Sequence, residues 1–339
     1  MDGASSVRRS IPEVSGVNRA RFEAEIVPAG QPVVMRGLAA EWPVVKAARQ
    51  SDAALVDYIR PFDAGRKVRL SVSPPGDDGR FYYNADQARF NFANDTETVS
   101  QALSWLAANA DATGGPTVYV QALSVAEALP GFDGDNAMDL VSSPHGARMW
   151  IGNRVRTQTH FDPSYNVAVV CAGRRRFTLF PPEQTPNLYP GPFDLSPGGV
   201  PLSLPELEAP DFELYPRFAE ALAVAQSAEL GPGDAIFIPY AWWHHVQLLD
   251  GLNLLVNYWW SALDDRPTPF AALYAGILGI RDLPSDQKLI WKRLMDTYVF
   301  GDGETAAAHI PAQNRGAFGD ITPKVLTRLQ ALLKVALKL

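Results

Sequence analysis

Histidine is scarce in this chain of 339 residues, so the placement of its five copies carries information. In the segment QTHFDPSYN, His160 and Asp162 lie two residues apart. In an extended segment, alternation places both side chains on one face and Phe161 on the other. Imidazole and carboxylate groups are common ligands of transition metals. The pair therefore predicts two ligands of a metal ion.

A third ligand is predicted in the segment GDAIFIPYAWWHHV, where His244 and His245 follow an apolar strand and a turn. If this segment and the first one form neighbouring strands, one of the two histidines completes a triad of two imidazoles and one carboxylate. The residues alone leave open which histidine it is. Such a triad leaves positions on iron(II) for a chelating oxoacid and for O2. An H-x-D pair alone is weak evidence, and the second histidine segment strengthens it.

The composition limits the other classes of function. The single cysteine, Cys171, excludes an internal disulfide and a zinc site built from several thiolates. A formal net charge of −7 gives no direct nucleic-acid signal, since a binder would carry a basic face. We find no signal-peptide pattern and no run of eighteen apolar residues. We therefore expect no membrane span and a cytoplasmic protein.

Short β-branched or aromatic runs, bounded by Gly, Pro or Asp, predict the strands that position these ligands. They lie at residues 32–36, 117–121, 166–171, 176–180, 235–239 and 252–258. The predicted fold is mainly β with added helices: a double-stranded β-helix, the jelly-roll or cupin barrel, over about 115–262. Helical elements are expected before it, including 18–26 and 98–109. The long connection at 181–232 is expected to be functional or to cover a site.

After Asp265 the pattern becomes helical, which predicts an oxygenase domain at 1–265 and a helical region at 266–339. The last helix, opened by Thr322 and Pro323, carries a leucine-rich stripe from Val325 to Leu337. This stripe either packs on the protein's own core or pairs with a second copy in a homodimer. The two alternatives have equal weight.

Several ordered motifs carry a resemblance to a known family. HFDPSYN, GRRRFTLFPP, GPGDAIFIPYAWWHHV and VNYW follow one another over about residues 117–260, with weaker likeness at GQPVVMRGLAAEWP. In these the chain resembles the JmjC and cupin-like hydroxylases, and is closest in motif to the asparaginyl hydroxylase that inhibits hypoxia-inducible factor. The resemblance implies an iron(II)- and 2-oxoglutarate-dependent oxygenase. It also selects His244 over His245 as the third metal ligand.

The resemblance also implies residues for the cosubstrate. Tyr119 and Thr157 would bind the distal carboxylate of 2-oxoglutarate, and Asn166 and Asn257 would lie near its other end, close to the metal. Where relatives usually carry Lys two residues after a glycine, this chain has Arg175 after Gly173. Arginine can bind a carboxylate through two parallel bonds, so Arg175 is the predicted partner, with Arg174 and Arg176 open as alternatives.

The implied reaction is hydroxylation of a C–H bond with O2, releasing succinate and CO2. A protein or peptide side chain is the preferred substrate, and a small metabolite is the alternative. Lysine demethylation is less favoured, because no histone-reader module accompanies the core. A metal cupin of the isomerase or hydrolase type is a further reading, but it would not need the cosubstrate residues. A binding protein that has lost catalysis is the third class.

Overall fold

The computed structural model describes residues 9–84, 89–193, 195–196, 199–262, 266 and 268–337. The chain divides into two compact units, Met1–Asp264 and Asp265–Leu339. The sequence-based domains at 1–265 and 266–339 stay a prediction. No helix among the described residues is long and apolar enough to cross a membrane. The cytoplasmic location likewise stays a prediction.

The described residues of the first unit contain fifteen strands in two sheets. They are β1 Arg9–Ser10, β2 Glu13–Ser15, β3 Val33–Arg36, β4 Val68–Ser73, β5 Arg80–Phe81, β6 Ala93–Glu97, β7 Thr117–Ser124, β8 Ala147–Gly152, β9 Arg156–His160, β10 Tyr165–Ala172, β11 Arg175–Phe180, β12 Gln226–Leu230, β13 Ala235–Ile238, β14 Trp243–Leu248 and β15 Asn253–Trp260. The large sheet has the order β2-β3-β13-β10-β15-β8-β7-β4-β6, and the small sheet β1-β12-β11-β14-β9-β5.

The chain passes repeatedly from one sheet to the other: β9 lies in the small sheet, β10 in the large, β11 and β12 in the small, β13 in the large, β14 in the small and β15 in the large. This winding is the double-stranded β-helix, so the predicted fold class is confirmed. The first third contributes more strand than expected. β4 and β6 extend the large sheet beyond β7, so the barrel is larger than the segment 115–262.

Helices flank the sheets. Those of the first unit are Arg19–Arg21, Phe22–Ile26 (π), Val27–Ala29, Pro43–Gln50, Asp52–Ile59, Arg60–Phe62 (3-10), Val99–Ala108, Val125–Ala128, Phe132–Asp135, Pro182–Asn187 (3-10) and Phe218–Val224. Those of the second unit are Pro269–Gly279, Ser285–Tyr298, Gly303–Ala306, Ala312–Asn314 (3-10), Gly316–Phe318 (3-10) and Pro323–Ala336.

Two apolar layers hold the first unit together. Phe22, Leu55 and Leu103 of the helices pack with Val169 and other buried side chains of the large sheet. A second cluster, which includes Val170 of the large sheet and Phe177 of the small one, fills the space between the sheets. Alternation along each strand serves both layers, because neighbouring residues face opposite sides. Part of the second cluster also lines the cavity that holds the predicted site.

The long connection between β11 and β12 lies along β9. Leu202 forms a bridge with His160, and the Ser203 amide donates to the Thr159 carbonyl at 2.8 Å. Gln158 donates its side-chain amide to the carbonyls of Ser203 and Pro205. The connection therefore covers the strand that carries the first predicted ligand.

Candidate metal centre

The three predicted ligands come together where β9 and β14 pair. His160 is the last residue of β9 and lies opposite His244, the second residue of β14, with ring centroids 4.3 Å apart. Asp162 follows β9, and its Oδ2 lies 3.6 Å from His244 Nε2. One ligand atom from each residue lies within 4.8 Å of the others. Two imidazoles and a carboxylate at this spacing suit a divalent iron ion.

Both imidazoles are oriented by backbone carbonyls. His160 Nδ1 lies 2.8 Å from the Gln158 carbonyl, and His244 Nδ1 lies 3.0 Å from the Trp242 carbonyl. A carbonyl only accepts, so each Nδ1 carries the proton and each Nε2 keeps a lone pair for a metal. Burial lowers the pKa of His244 to about 4, and the nearby His160 adds to the effect. His244 is therefore neutral at physiological pH, which is the form that binds a metal.

The residues after β9 position Asp162. β9 ends at His160, and the Asp162 carbonyl accepts from the Ala241 amide at 3.2 Å. Phe161 packs against Trp243 with ring centroids 4.8 Å apart. His160 and Asp162 both line the cavity, and Phe161 is not among the residues that line it.

The geometry of β14 distinguishes the two adjacent histidines, His244 and His245. His244 lines the cavity together with Val246, two residues later in β14. His245 lies between them and is absent from the cavity wall, as alternation requires. It pairs in register with Thr178 and is 5% exposed. The position of His245 is therefore structural.

A β-bulge places Thr157 in the same cavity as His160. Residues three apart on a regular strand face opposite sides. The register between β14 and β9 shifts between His244 and Val246, so that His244 pairs with His160 while Val246 pairs with Thr157. This shift lets both residues of β9 face inward. The sequence carries no evident signal for it.

Arg175 is a buried cation without a counter-ion. It is 1% exposed, and no carboxylate of a described residue pairs with it. Its Nη2 donates to the Trp150 carbonyl at 3.1 Å, and its Nε has no partner among the described residues. Burial lowers the pKa of Arg175 to about 10, so the group remains charged at neutral pH. A buried unpaired charge is costly and favours an anionic ligand.

The two arginines that flank Arg175 point elsewhere. Arg174 forms an ion pair with Asp250 at 2.8 Å, and Arg176 pairs with Glu229 at 2.5 Å. Neither lines the cavity. Of the three arginines that the sequence left open, Arg175 is the one whose side chain faces the metal ligands.

Tyr119 and Thr157 lie on the same wall as Arg175. Burial raises the pKa of the Tyr119 phenol, while the charge of Arg175 opposes the rise. The phenol therefore keeps its proton and can donate. Thr157 Oγ1 is buried and interacts with the Tyr119 phenol, but the two groups do not reach regular hydrogen-bond geometry. Two donors and a cation thus converge where a carboxylate would fit.

Asn166 and Asn257 are buried on neighbouring strands and are joined through their amides: Asn257 Nδ2 donates to Asn166 Oδ1 at 3.1 Å. Trp150 Nε1 in turn donates to Asn257 Oδ1 at 2.7 Å. Neither Trp150 nor Trp259 was singled out from the sequence. Trp259 lines the cavity with a buried Nε1 that has no partner among the described residues. The dense tryptophans of this chain gave no signal that separated these two from the rest.

All eight residues predicted for the site line one cavity: Tyr119, Thr157, His160, Asp162, Asn166, Arg175, His244 and Asn257. At one end the donor set fits a divalent metal. At the other end the unpaired Arg175 and the buried Thr157 hydroxyl fit a carboxylate. A dicarboxylate such as 2-oxoglutarate has a group for each end. The residues present therefore fit both the metal and the cosubstrate.

Comparison with known proteins agrees with this arrangement. The model of the cupin-like domain family matches residues 19–266. The chain is 38% identical over 114 residues to lysine-specific demethylase JMJ31 of Arabidopsis thaliana, covering 33% of this chain and 20% of that one. It is 34% identical over 139 residues to human (Homo sapiens) HSPB1-associated protein 1, covering 40% and 26%.

This chain also aligns, over a longer stretch, with tRNA wybutosine-synthesizing protein 5 of Gallus gallus. The identity is 25% over 276 residues, covering 75% of this chain and 77% of that one. The matches to the first two relatives, in contrast, span only about a fifth to a quarter of their lengths.

Proposed function

The chain belongs to the cupin-like domain family of the JmjC type, and from this we propose that it is an iron(II)- and 2-oxoglutarate-dependent dioxygenase that hydroxylates a C–H bond of a protein side chain. His160, Asp162 and His244 would hold the iron. When bound, the iron supplies the oxidation of 2-oxoglutarate by O2 to succinate and CO2, with transfer of one oxygen atom into the substrate C–H bond.

The chain's own residues bind and orient the reactants. Arg175 and Tyr119 would bind the distal carboxylate of 2-oxoglutarate, and Thr157 would donate its hydroxyl to the same group. Asn166 and Asn257 would contact the end near the metal, while the hydrogen bond from Trp150 fixes the Asn257 amide. The apolar wall that includes Phe177 and Leu255 excludes water from the reacting end.

The observation that carries the proposal is the buried, unpaired Arg175 in the same cavity as the triad. A metal cupin of the isomerase or hydrolase type needs the triad but has no need for a buried cation opposite it. The alternative in which the scaffold only binds a partner explains neither group. An oxygenase that takes a dicarboxylate uses both.

The substrate class rests on weaker support. One relative is named as a lysine demethylase and another as a protein associated with HSPB1, which supports a protein substrate. A third is named for the synthesis of a tRNA base. Hydroxylation of a protein side chain is the reaction that we propose. Demethylation and hydroxylation of a small metabolite are its competitors.

Titration of 2-oxoglutarate into the anaerobic protein loaded with Mn(II) tests the role of Arg175. Replacing a buried cation that binds a carboxylate costs roughly 2 kcal/mol or more, so Arg175→Gln should raise Kd about 30-fold or more. Arg176→Gln is the matched control, since it removes a charge one residue away outside the cavity and should leave Kd unchanged. Equal affinity of Arg175→Gln and the wild type would refute the assignment.

A further inference from the structure

A second cavity, of about 380 Å³, opens directly from the metal ligands. It shares His160, Asp162 and Trp259 with the first cavity and continues past them to Arg69 and Gln121. A substrate would therefore reach the metal through it. Among the described residues of its wall, the fully charged side chains are Asp162 and Arg69. If Asp162 is bound to iron, Arg69 is the charge that a substrate meets.

Arg69 is an exposed residue on the side of β4 that faces this cavity. In β4, Val68 and Leu70 pack into the apolar layer outside the sheet, while Arg69 and Ser71 face the cavity. Ser71 pairs in register with Tyr119 of β7. Since a strand rises about 3.4 Å per residue, Arg69 lies about 7 Å along β4 from the level of Tyr119. The backbone of Arg69 is thus offset along β4 from the position where Tyr119 and Arg175 would bind a carboxylate.

Arg69 is held in place but is not neutralised. Its Nε donates to Asn94 Oδ1 at 2.8 Å, and the same oxygen lies 3.5 Å from Ser71 Oγ. Gln121 Nε2 donates to Ser71 Oγ at 3.1 Å and completes this polar row. The two terminal nitrogens of Arg69 have no partner among the described residues, nor does a described carboxylate pair with it. A guanidinium that is held through Nε and has both terminal nitrogens available can bind a carboxylate through two parallel hydrogen bonds.

We propose that Arg69 is a specificity-determining residue that binds a carboxylate carried by the substrate, an inference that rests on the proposed function. The rest of the wall includes Phe81, Leu202 and Trp259, which suit an apolar portion of the substrate. The substrate that fits is a peptide in which an Asp or Glu lies beside the residue that is hydroxylated. A methylated lysine at this position would bring one cation against another, so the cavity disfavours demethylation.

The experiment measures binding, so that it does not depend on turnover. The anaerobic protein, loaded with Mn(II) and 2-oxoglutarate, is used to capture peptides from two synthetic nonapeptide pools. The pools differ only in having Asp and Glu in one and Asn and Gln in the other. Captured peptides are quantified by mass spectrometry for the wild type, Arg69→Gln and Arg69→Lys. The control variant is Arg66→Gln, which removes an exposed charge three residues away that lies outside the cavity.

The wild type and Arg66→Gln should enrich the acidic pool about tenfold over the amide pool. Arg69→Gln should abolish this preference. Arg69→Lys should keep part of it, because lysine retains the positive charge but cannot form two parallel hydrogen bonds to a carboxylate. Equal capture of both pools by the wild type, or an unchanged preference in Arg69→Gln, would overturn the proposal. Circular dichroism of Arg69→Gln establishes that the variant is folded.

A second arm identifies the source of the carboxylate. Free aspartate and glutamate are titrated against asparagine and glutamine. If the free acids bind as tightly as the peptides and lose affinity in Arg69→Gln, the carboxylate chemistry stands and belongs to a metabolite. Succinate formation by the iron-loaded wild type is measured in parallel. Its absence with peptide preference intact would count against the proposed function alone, whereas its presence without any preference would count against Arg69 alone.

Discussion

Asp162 is the one carboxylate in the group of three described residues that could hold the metal. Asp162→Ala removes the negative charge that offsets a divalent cation, and we expect iron affinity to fall more than tenfold. Iron content after anaerobic loading, measured by plasma mass spectrometry, checks this. His309→Ala, which changes an exposed histidine of the second unit, is the control and should retain iron. Full iron content in Asp162→Ala would argue for other ligands.

Substitution of Thr157 separates an effect on 2-oxoglutarate binding from an effect on the stability of the unliganded protein. Thr157→Val should raise the Kd for 2-oxoglutarate about fivefold, the equivalent of about 1 kcal/mol for one lost hydrogen bond. Stability without ligand should fall little, because Oγ1 makes no regular hydrogen bond and only interacts with the Tyr119 phenol. Thr178→Val is the control with the opposite expected result, because the Thr178 hydroxyl lies outside the cavity and 3.2 Å from Ser227 Oγ. It should lower stability and leave the Kd unchanged, as thermal unfolding and calorimetry would show.

The candidate residues were predictable to different degrees. The scarcity of histidine and the H-x-D spacing single out His160 with Asp162. His244 needed the family resemblance, because sequence alone does not say which of two adjacent histidines faces inward. The burial of Arg175, in contrast to its two neighbours, depends on the register of β11 in the folded sheet. Trp150 and Trp259 could not be separated from packing tryptophans without their hydrogen-bond partners.

Gly173 controls the turn that delivers Arg175 to the cavity. It joins β10 to β11 with φ +67°, and a Cβ atom there would lie 2.5 Å from the Leu252 carbonyl oxygen. Gly173→Ala therefore adds both a strained conformation and a collision with backbone. We expect a loss of roughly 2 kcal/mol or more in the free energy of unfolding, together with weaker 2-oxoglutarate binding.

Gly231 provides the comparison for that variant, since a Cβ atom there meets nothing within 4 Å and its φ is not in the left-handed region. Gly231→Ala should unfold at the wild-type temperature. Equal unfolding temperatures for Gly173→Ala and Gly231→Ala would contradict the role of the turn.

Among the elements, the strands β3, β7, β10, β11, β13 and β15 were the most predictable, because each contains a short apolar run bounded by turn residues. The bulge in β9 and the end of that strand at His160 were not. Both involve the pairing with β14 and the connection between β11 and β12, whose Ser203 carbonyl accepts from the Gln158 side chain. These contacts are distant in sequence, so a local pattern does not contain them. The strands β4, β6 and β8 were missed as well. The predicted connection at 181–232 was too long, because β12 begins at Gln226.

At the scale of the whole molecule, the second unit presents large apolar side chains to solvent. In the last helix, Leu332, Leu333 and Val335 are 55%, 45% and 77% exposed, and none of its described residues is buried. The helix Ser285–Tyr298 exposes Leu289, Ile290 and Trp291 as well. Apolar surfaces of this kind favour association. The leucine-rich stripe keeps its two alternatives, packing on the protein's own core and pairing in a homodimer, and the homodimer stays a prediction.

Light scattering after gel filtration tests that prediction. The wild type should have twice the mass of the 37.0 kDa chain. Leu332→Glu combined with Val335→Glu should shift the mass to that of one chain, because charge at an apolar interface opposes association. Lys334→Glu changes a charge on the same helix without removing apolar surface and should remain dimeric. A wild-type mass of 37 kDa at micromolar concentration would exclude the dimer.

The central claim is that the cavity couples a metal to 2-oxoglutarate for oxidation by O2, and succinate formation tests it most directly. The protein is loaded with iron(II) under anaerobic conditions, mixed with 2-oxoglutarate and exposed to O2, and succinate and remaining 2-oxoglutarate are quantified by mass spectrometry. Ascorbate is included as the two-electron reductant that turnover requires when no substrate is oxidised. We predict one succinate for each 2-oxoglutarate consumed, and a loss of this turnover in Asp162→Ala. A wild-type protein that holds iron and forms no succinate would contradict the account.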